Sequence, residues 1–313
     1  MARIPRARIH HARLGGLRAQ LNALVDGVQP NVRDPILYVR RYPDPDDAEV
    51  AAVVAATLAF GRVEAFLPVI EAILAIADAR GGPAAWVDSF GAADEAALQP
   101  ILYRWIRGPH LSILAKSIGA LRSEHGSLQQ IFLDAHDPQH KDIGPALDHF
   151  IVQLRQSAVT QAEVGCYRDL PTGLRHGMPR PSGGSACKRW NMLLRWMVRR
   201  PTHPNDPDLG LWALPIEKLV IPVDTHVLRV AKMIGLTHRT DGSWRTAQEI
   251  TRNLAHVDPT DPVRYDFALA HLGISGTCKA QHVPSVCTPC PLRECCRFGR
   301  KKGRVSRPSR GDK

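Results

Sequence analysis

Apolar residues recur every three to four positions along most of this chain, and that repeat predicts helices. DAEVAAVVAATLAF (47–60) and EAFLPVIEAILAIADA (64–79) are rich in Ala, Leu, Ile and Val at helical spacing. LSILAKSIGALRSEHG, LDHFIVQLRQSAV and VLRVAKMIGL repeat the pattern further on. No segment alternates apolar and polar residues with β-branched enrichment, so strands are expected to be minor and the fold class all-α. Gly81-Gly82-Pro83, Gly108-Pro109 and the stretch from Leu170 to Gly184 punctuate the helices. Two stronger breaks, YPDPDD from Tyr42 and PTHPNDPDLG (201–210), read as lobe boundaries. They divide the chain into segments 1–45, 46–200 and 201–298, and the tail 299–313 is poor in apolar residues and expected to be disordered. There is no internal repeat.

With 313 residues, 44% of them apolar and 23% charged, the composition is that of a globular protein with room for a sizeable core. No apolar run approaches the roughly 18 residues that would span a bilayer, so no membrane is expected. MARIPRARIHHARLGG lacks the apolar stretch of a secretory signal, which points to the cytoplasm, although its Arg-rich, acid-poor character is also that of a mitochondrial transit peptide. The net charge of +11 is concentrated at the ends. Residues 1–18 carry +5 and residues 297–313 carry +7, which leaves about −1 for everything between. Basic ends of this kind suit contact with phosphates as well as simple solubility.

Seven cysteines are present, and Cys278, Cys287, Cys290, Cys295 and Cys296 fall within nineteen residues. Clustering without a secretion signal reads as metal binding before disulfides. The spacing is C-x8-C-x2-C-x5-C with Cys296 as the fourth ligand and C-x8-C-x2-C-x4-C with Cys295. Four thiolates on a short, Pro-rich loop suit an iron–sulfur cluster. Zinc is the competing metal, but its structural sites usually pair two knuckles, and here only one C-x2-C exists.

Upstream, PSGGSACKRWNMLLRWMVRR (181–200) is a Gly-containing turn running into an amphipathic helix. Trp190, Leu193, Leu194 and Met197 project to one face and Lys188, Arg195 and Arg199 to the other. Such a helix N-terminus suits an anion such as a phosphate, and a solvated basic face is the plainer alternative. In VIPVDTHVLRVAKMIGL (220–236), Asp224 precedes an apolar run as an N-cap would. A carboxylate fixed there can also stabilise a developing cation. His226 has no partner at ligand spacing and reads as structural.

Together these segments resemble the helix-hairpin-helix (HhH-GPD) DNA glycosylases, the superfamily of endonuclease III and MutY. VDTHVLRV (223–230) matches their V-D-T-H-x-x-R-V signature, and Gly235-Leu236 follows as in that superfamily. RYDFALAHLG (264–273) is similar to the helix before the cluster loop, and CTPCPLRECC to the loop itself. The AFGRVE run (59–64), GSACKRWNMLLRWMVRR (184–200) and DPVRYDFALAHLG (261–273) are more similar still to a mostly bacterial branch known mainly by sequence. Three features depart from the pattern. PSGGSACK stands where the superfamily has L-P-G-V-G-x-x-T-A, the first cysteine gap is two residues longer, and Lys188 and Asp224 are 36 residues apart, a stretch that PTHPNDPDLGLWALP accounts for.

The resemblance implies a two-lobed helix-hairpin-helix fold in which 1–45 packs on the C-terminal lobe. Residues 46–200 would form a helical barrel lobe ending in the hairpin and its helix, and 201–298 a lobe with the catalytic Asp and the cluster. It implies a DNA repair enzyme acting on double-stranded DNA that contains a damaged or mismatched base, as a monomer on the bacterial nucleoid. Asp224 would stabilise the oxocarbenium-like centre and Lys188 would attack it to form a Schiff base, giving AP-lyase activity. Arg62, Gly183, Gly184, Ser185, Arg189 and Arg195 would contact DNA, with Phe60-Gly61-Arg62 near the duplex as a wedge. A [4Fe-4S] cluster on Cys278, Cys287, Cys290 and Cys296 would be structural and bring Lys279, Arg293 and Arg297 to phosphates, its x5 spacing favouring Cys296 over Cys295. A glycosylase without lyase activity and a non-catalytic DNA-binding protein remain the alternatives.

Overall fold

A computed structural model describes residues 11–28, 33–203, 206–276 and 278–299. The expected disordered tail lies outside them except for its first residue, as do the first ten residues of the basic N-terminus. The described chain is all-α apart from one small hairpin. The helices are α1 (His11–Asp26), α2 (Ile36–Val39), α3 (Pro45–Leu58), α4 (Val63–Asp78), α5 (Pro83–Asp88) and α6 (Ala92–Leu98). After strands β1 (Leu102–Tyr103) and β2 (Ile106–Arg107) come α7 (Gly108–His125), α8 (Leu128–Asp134), α9 (Gly144–Gln161) and α10 (Thr172–Gly177). The chain continues with α11 (Lys188–Val198), α12 (Thr225–Ile234), α13 (Trp244–Ala255), α14 (Asp266–Ile274) and α15 (Pro284–Cys287).

α3 starts where Pro45 follows Asp44, whose carboxylate accepts from the Asp46 amide, a combination that favours a helix N-terminus. Every residue from Ala48 to Leu58 is buried, because an Ala- and Val-rich helix with no polar face can only be covered on all sides. It packs against α2, α4, α5 and α11, while α7 packs against α5, α8 and α9. The contact between α5 and α7 is close enough that a Cβ on Gly119 would run into the Val87 carbonyl. Glu49, the one acid on the buried part of α3, accepts from the Leu128 and Gln129 amides at 2.7 and 3.0 Å and faces Arg122. Its charge therefore meets the positive end of α8 rather than the core.

α12 packs against α14, and α1 lies on α14, where Tyr265 donates to Asn22. α11 stands between these groups. One side meets α3, and its Arg195 and Arg199 reach carboxylates on the 206–208 loop and beside or within α14. No helix of the described residues is long and apolar enough to cross a membrane.

Candidate functional site

The turn between α10 and α11 is built by backbone bonds from Gly183 and Ser185 to the Arg180 carbonyl and from Gly184 to the Pro181 carbonyl. Gly184 sits at φ +83°, a conformation that glycine reaches without strain. Asp148 of α9 anchors the turn, accepting from the Arg180 guanidinium and from the Ser182 amide and hydroxyl. On the other side the Trp244 amide donates to the Gly184 carbonyl. Gly183 and Gly184 are exposed, and Ser185 is half-buried. Cys187 then takes a left-handed conformation (φ 47°), turns the chain into α11, and places Lys188 at its first position. The Cys187 thiol is buried, which pushes its pKa up to about 12 and makes it unreactive.

Asp224 caps α12 with one oxygen only. Its Oδ1 accepts from the His226 and Val227 amides, each at 2.8 Å. Its Oδ2 lies 3.6 Å from Lys188 Nζ. The cap thus uses one oxygen of the carboxylate and leaves the other facing Lys188. The 36 residues that separate the pair in sequence do not separate it in space. The added stretch folds back on the end of α11, with the Leu209 and Trp212 amides donating to the Trp196 and Met197 carbonyls.

Lys188 and Asp224 open onto a cleft of about 930 Å³ lined also by Asp34, Phe60, Arg62, Cys187, Arg189, His226 and His271. That volume is of the size that holds a small molecule or one nucleotide. Arg62 is exposed at the start of α4. Beside the cleft stands a wall that the sequence reading passed over. Trp105, at the tip between β1 and β2, stacks on Phe60 at 5.1 Å and meets His176 edge-on at 4.9 Å, and Arg104 lies over both the Phe60 and Trp105 rings. Trp105 keeps 39% of its surface exposed. Its signal was present in LYRWIRG, where aromatic residues alternate with arginines.

Two arginines expected at DNA are placed elsewhere. Arg189 is buried and donates to the backbone carbonyls of Thr57 and His176, with its guanidinium 5.2 Å from the Phe60 ring. Burial without a carboxylate partner lowers its pKa to about 10. It shapes the cleft wall, with two of its N–H groups committed to backbone carbonyls. Arg195 is buried and paired with Asp208 at 3.2 Å and with Asp266. Arg199 binds Asp206, Asp208 and Asp261 at 2.7–3.0 Å. What projected as a basic outer face is therefore the centre of an ionic network. Asp206 and Asp208 follow α11 closely in sequence, whereas Asp261 and Asp266 arrive from more than sixty residues on. Burial pushes the Asp266 carboxyl up to about 6, against the pull of Arg195, and nearby Asp224 adds to the rise.

The seven cysteines form no disulfide. Among the described residues no three His, Cys, Asp or Glu side chains are close enough together to hold a single metal ion. Cys278, Cys290, Cys295 and Cys296 nevertheless pack against the core, and the Cys290 thiol is pushed up by burial and by its neighbours Cys278, Cys296 and Cys287. The Val283 amide points at the Cys287 sulfur at 3.5 Å, and the Leu292 amide at the Cys290 sulfur. Amide donors aimed at sulfur suit thiolates. The Cys295 thiol is directed to the Leu292 carbonyl at 3.2 Å and the Cys287 thiol to the Gln281 carbonyl at 3.9 Å. The Arg297 amide ties this loop to the Met233 carbonyl at the end of α12. Lys279, Arg293 and Arg297 are exposed around it.

No curated protein and no solved structure matches the chain. One family pattern does, over residues 34–275, which takes in the cleft, the Lys188–Asp224 pair and the ionic network and stops short of the cysteine loop. The chain belongs to that family, described as "Protein of unknown function (DUF2400)".

Proposed function

We propose that this protein is a DNA repair glycosylase of the helix-hairpin-helix type that removes a damaged or mismatched base and then nicks the abasic site through Lys188. The observation that carries the reading is the meeting of Lys188 and Asp224 at 3.6 Å on the wall of a nucleotide-sized cleft. An amine beside a carboxylate that is itself fixed by two amides is the arrangement that imine chemistry at a sugar carbon needs. The two lobes would be the α3–α11 group and the group of α1 and α12–α14, with the cleft between them.

A target nucleotide would leave the helical stack, at a cost of a few kcal/mol, and enter the cleft. As the bond between C1′ and the base breaks, its electron pair leaves with the base. Lys188 Nζ forms the new bond to C1′, and Asp224 Oδ2 offsets the positive charge on the sugar and accepts the Nζ proton. Ring opening gives the imine, and loss of a C2′ proton then expels the 3′-phosphate. The exposed turn at Gly183 and Gly184 offers backbone amides to phosphates, and Arg62, Arg104, Lys279, Arg293 and Arg297 supply charge to the backbone. Trp105 offers a stacking face to a base at the rim.

Cys278, Cys287, Cys290 and Cys296 would hold a [4Fe-4S] cluster, which when bound supplies a structural cross-link rather than a step in the reaction. The amides directed at the Cys287 and Cys290 sulfurs support that reading. Cys296→Ser is expected to abolish iron content and brown absorbance in the purified protein, and Cys295→Ser to leave both near wild type. The reverse result would reassign the fourth ligand.

The direct test is base release from duplexes that each carry one lesion, with Asp224→Asn as control. Asparagine caps a helix as well as aspartate, so the fold should hold while release falls about 100- to 1000-fold. Full activity in that variant would sink the reading.

A further inference from the structure

Lys188 and Asp224 account for the sugar, but neither supplies the proton that a neutral base must gain as it leaves. A second acid–base pair faces the same cleft. His271 of α14 places Nε2 3.8 Å from Asp34 Oδ2, and both side chains are 16% exposed. Asp34 and His271 line the cleft together with Lys188, Asp224 and His226. Asp34 belongs to the segment leading into α2, so the pair joins two distant parts of the sequence at one wall.

The carboxylate is held in place. Its Oδ1 accepts from the Ile36 amide at 3.0 Å, which leaves Oδ2 for the imidazole. Burial alone would raise the Asp34 pKa, but His271, the Ile36 amide and the charge of Arg195 outweigh it and keep the group below the usual carboxylate range. The Phe267 ring closes one side of His271 edge-on at 4.2 Å. An anionic carboxylate on one ring nitrogen fixes the proton arrangement of an imidazole and leaves the other nitrogen to serve a substrate. Apo geometry of such pairs is often longer than in the reacting complex.

We infer that His271, oriented by Asp34, is the general acid that protonates the departing base, and that the substrate class is a neutral base rather than one already carrying a positive charge. This rests on the glycosylase reading above. The step balances without a redox partner. The C1′–N bond breaks and its electron pair goes to the base, while His271 Nδ1 gives a proton to a basic atom of that base. Lys188 Nζ bonds to C1′, and His271 is left as neutral imidazole.

The test compares two reactions of the full-length protein. One is single-turnover release of uracil, hypoxanthine and 8-oxoguanine from duplex DNA. The other is borohydride trapping on a duplex with a preformed abasic site, which needs Lys188 but no leaving base. His271→Gln is expected to slow release of whichever base the wild type accepts by about 100-fold or more and to change trapping by less than about threefold. Asp34→Asn should give a smaller loss in release with the same sparing of trapping. Equal loss of both reactions in His271→Gln would mean a structural role and overturn the inference, as would unchanged release. A wild type that traps abasic DNA yet releases none of the three bases would overturn it too. A wild type that does neither would instead overturn the glycosylase reading itself.

Discussion

Lys188→Ala is expected to leave no borohydride-trapped adduct with abasic DNA and to cut strand nicking by at least about 100-fold. The argument is local. Among the described residues no other lysine lines the cleft, and the Arg189 guanidinium on its wall is held by two carbonyls and cannot form an imine. The Lys188 side chain is 34% exposed, so its truncation should change stability by no more than about 0.5 kcal/mol. Lys188→Arg makes a second arm. It keeps the charge beside Asp224 and the attraction for DNA, so duplex binding at low salt should persist while trapping disappears. Trapping that survived in both variants would remove Lys188 from the mechanism.

Arg199→Met should be strongly destabilising. Arg199 is 2% exposed and its guanidinium is shared by Asp206, Asp208 and Asp261, with Thr202 completing the shell. Removing it strands Asp206 and Asp261, which have little access to water, and leaves Asp208 to Arg195 alone. Breaking a buried pair from one side typically costs about 3–5 kcal/mol. For a chain of this size that corresponds to a fall of about 10 °C in the thermal midpoint. Asp261→Asn in the same protein should recover part of the loss, because it removes one of the abandoned charges. A midpoint within about 2 °C of wild type would show that the carboxylates find other partners or take up protons.

The helices were largely legible because their cause is local. α3 and α4 follow directly from Ala- and Ile-rich repeats bounded by Asp44-Pro45 and Gly61. What was not legible depends on approach from elsewhere in the chain. Arg195 and Arg199 look solvated when α11 is projected alone, since a projection does not show the aspartates that arrive from the 206–208 loop, from Asp261 and from α14. Arg189 was misread for the same reason, its partners being carbonyls at Thr57 and His176. The β1–β2 hairpin has two residues per strand, too few for alternation to register, so the Trp105 wall went unseen. Asp34 and His271 carry no shared motif at all. The Lys188–Asp224 pair lies between these extremes: both residues stood out, but their 36-residue spacing did not show the meeting that the folded-back 206–212 stretch makes possible.

The ionic network also has a geometric consequence. It grips α11 at Arg195 and Arg199, the end remote from the cleft, while Lys188 stands two turns away at the other end. Seven residues of helix make a lever of about 10 Å between Arg195 and Lys188. A tilt of only about 5° about that pivot would carry the amine through about 1 Å, a displacement that can cost about 100-fold in rate. The salt bridges that look like ballast for stability would then set the aim of the nucleophile, so a substitution far from DNA could blunt the chemistry without touching a single residue of the cleft.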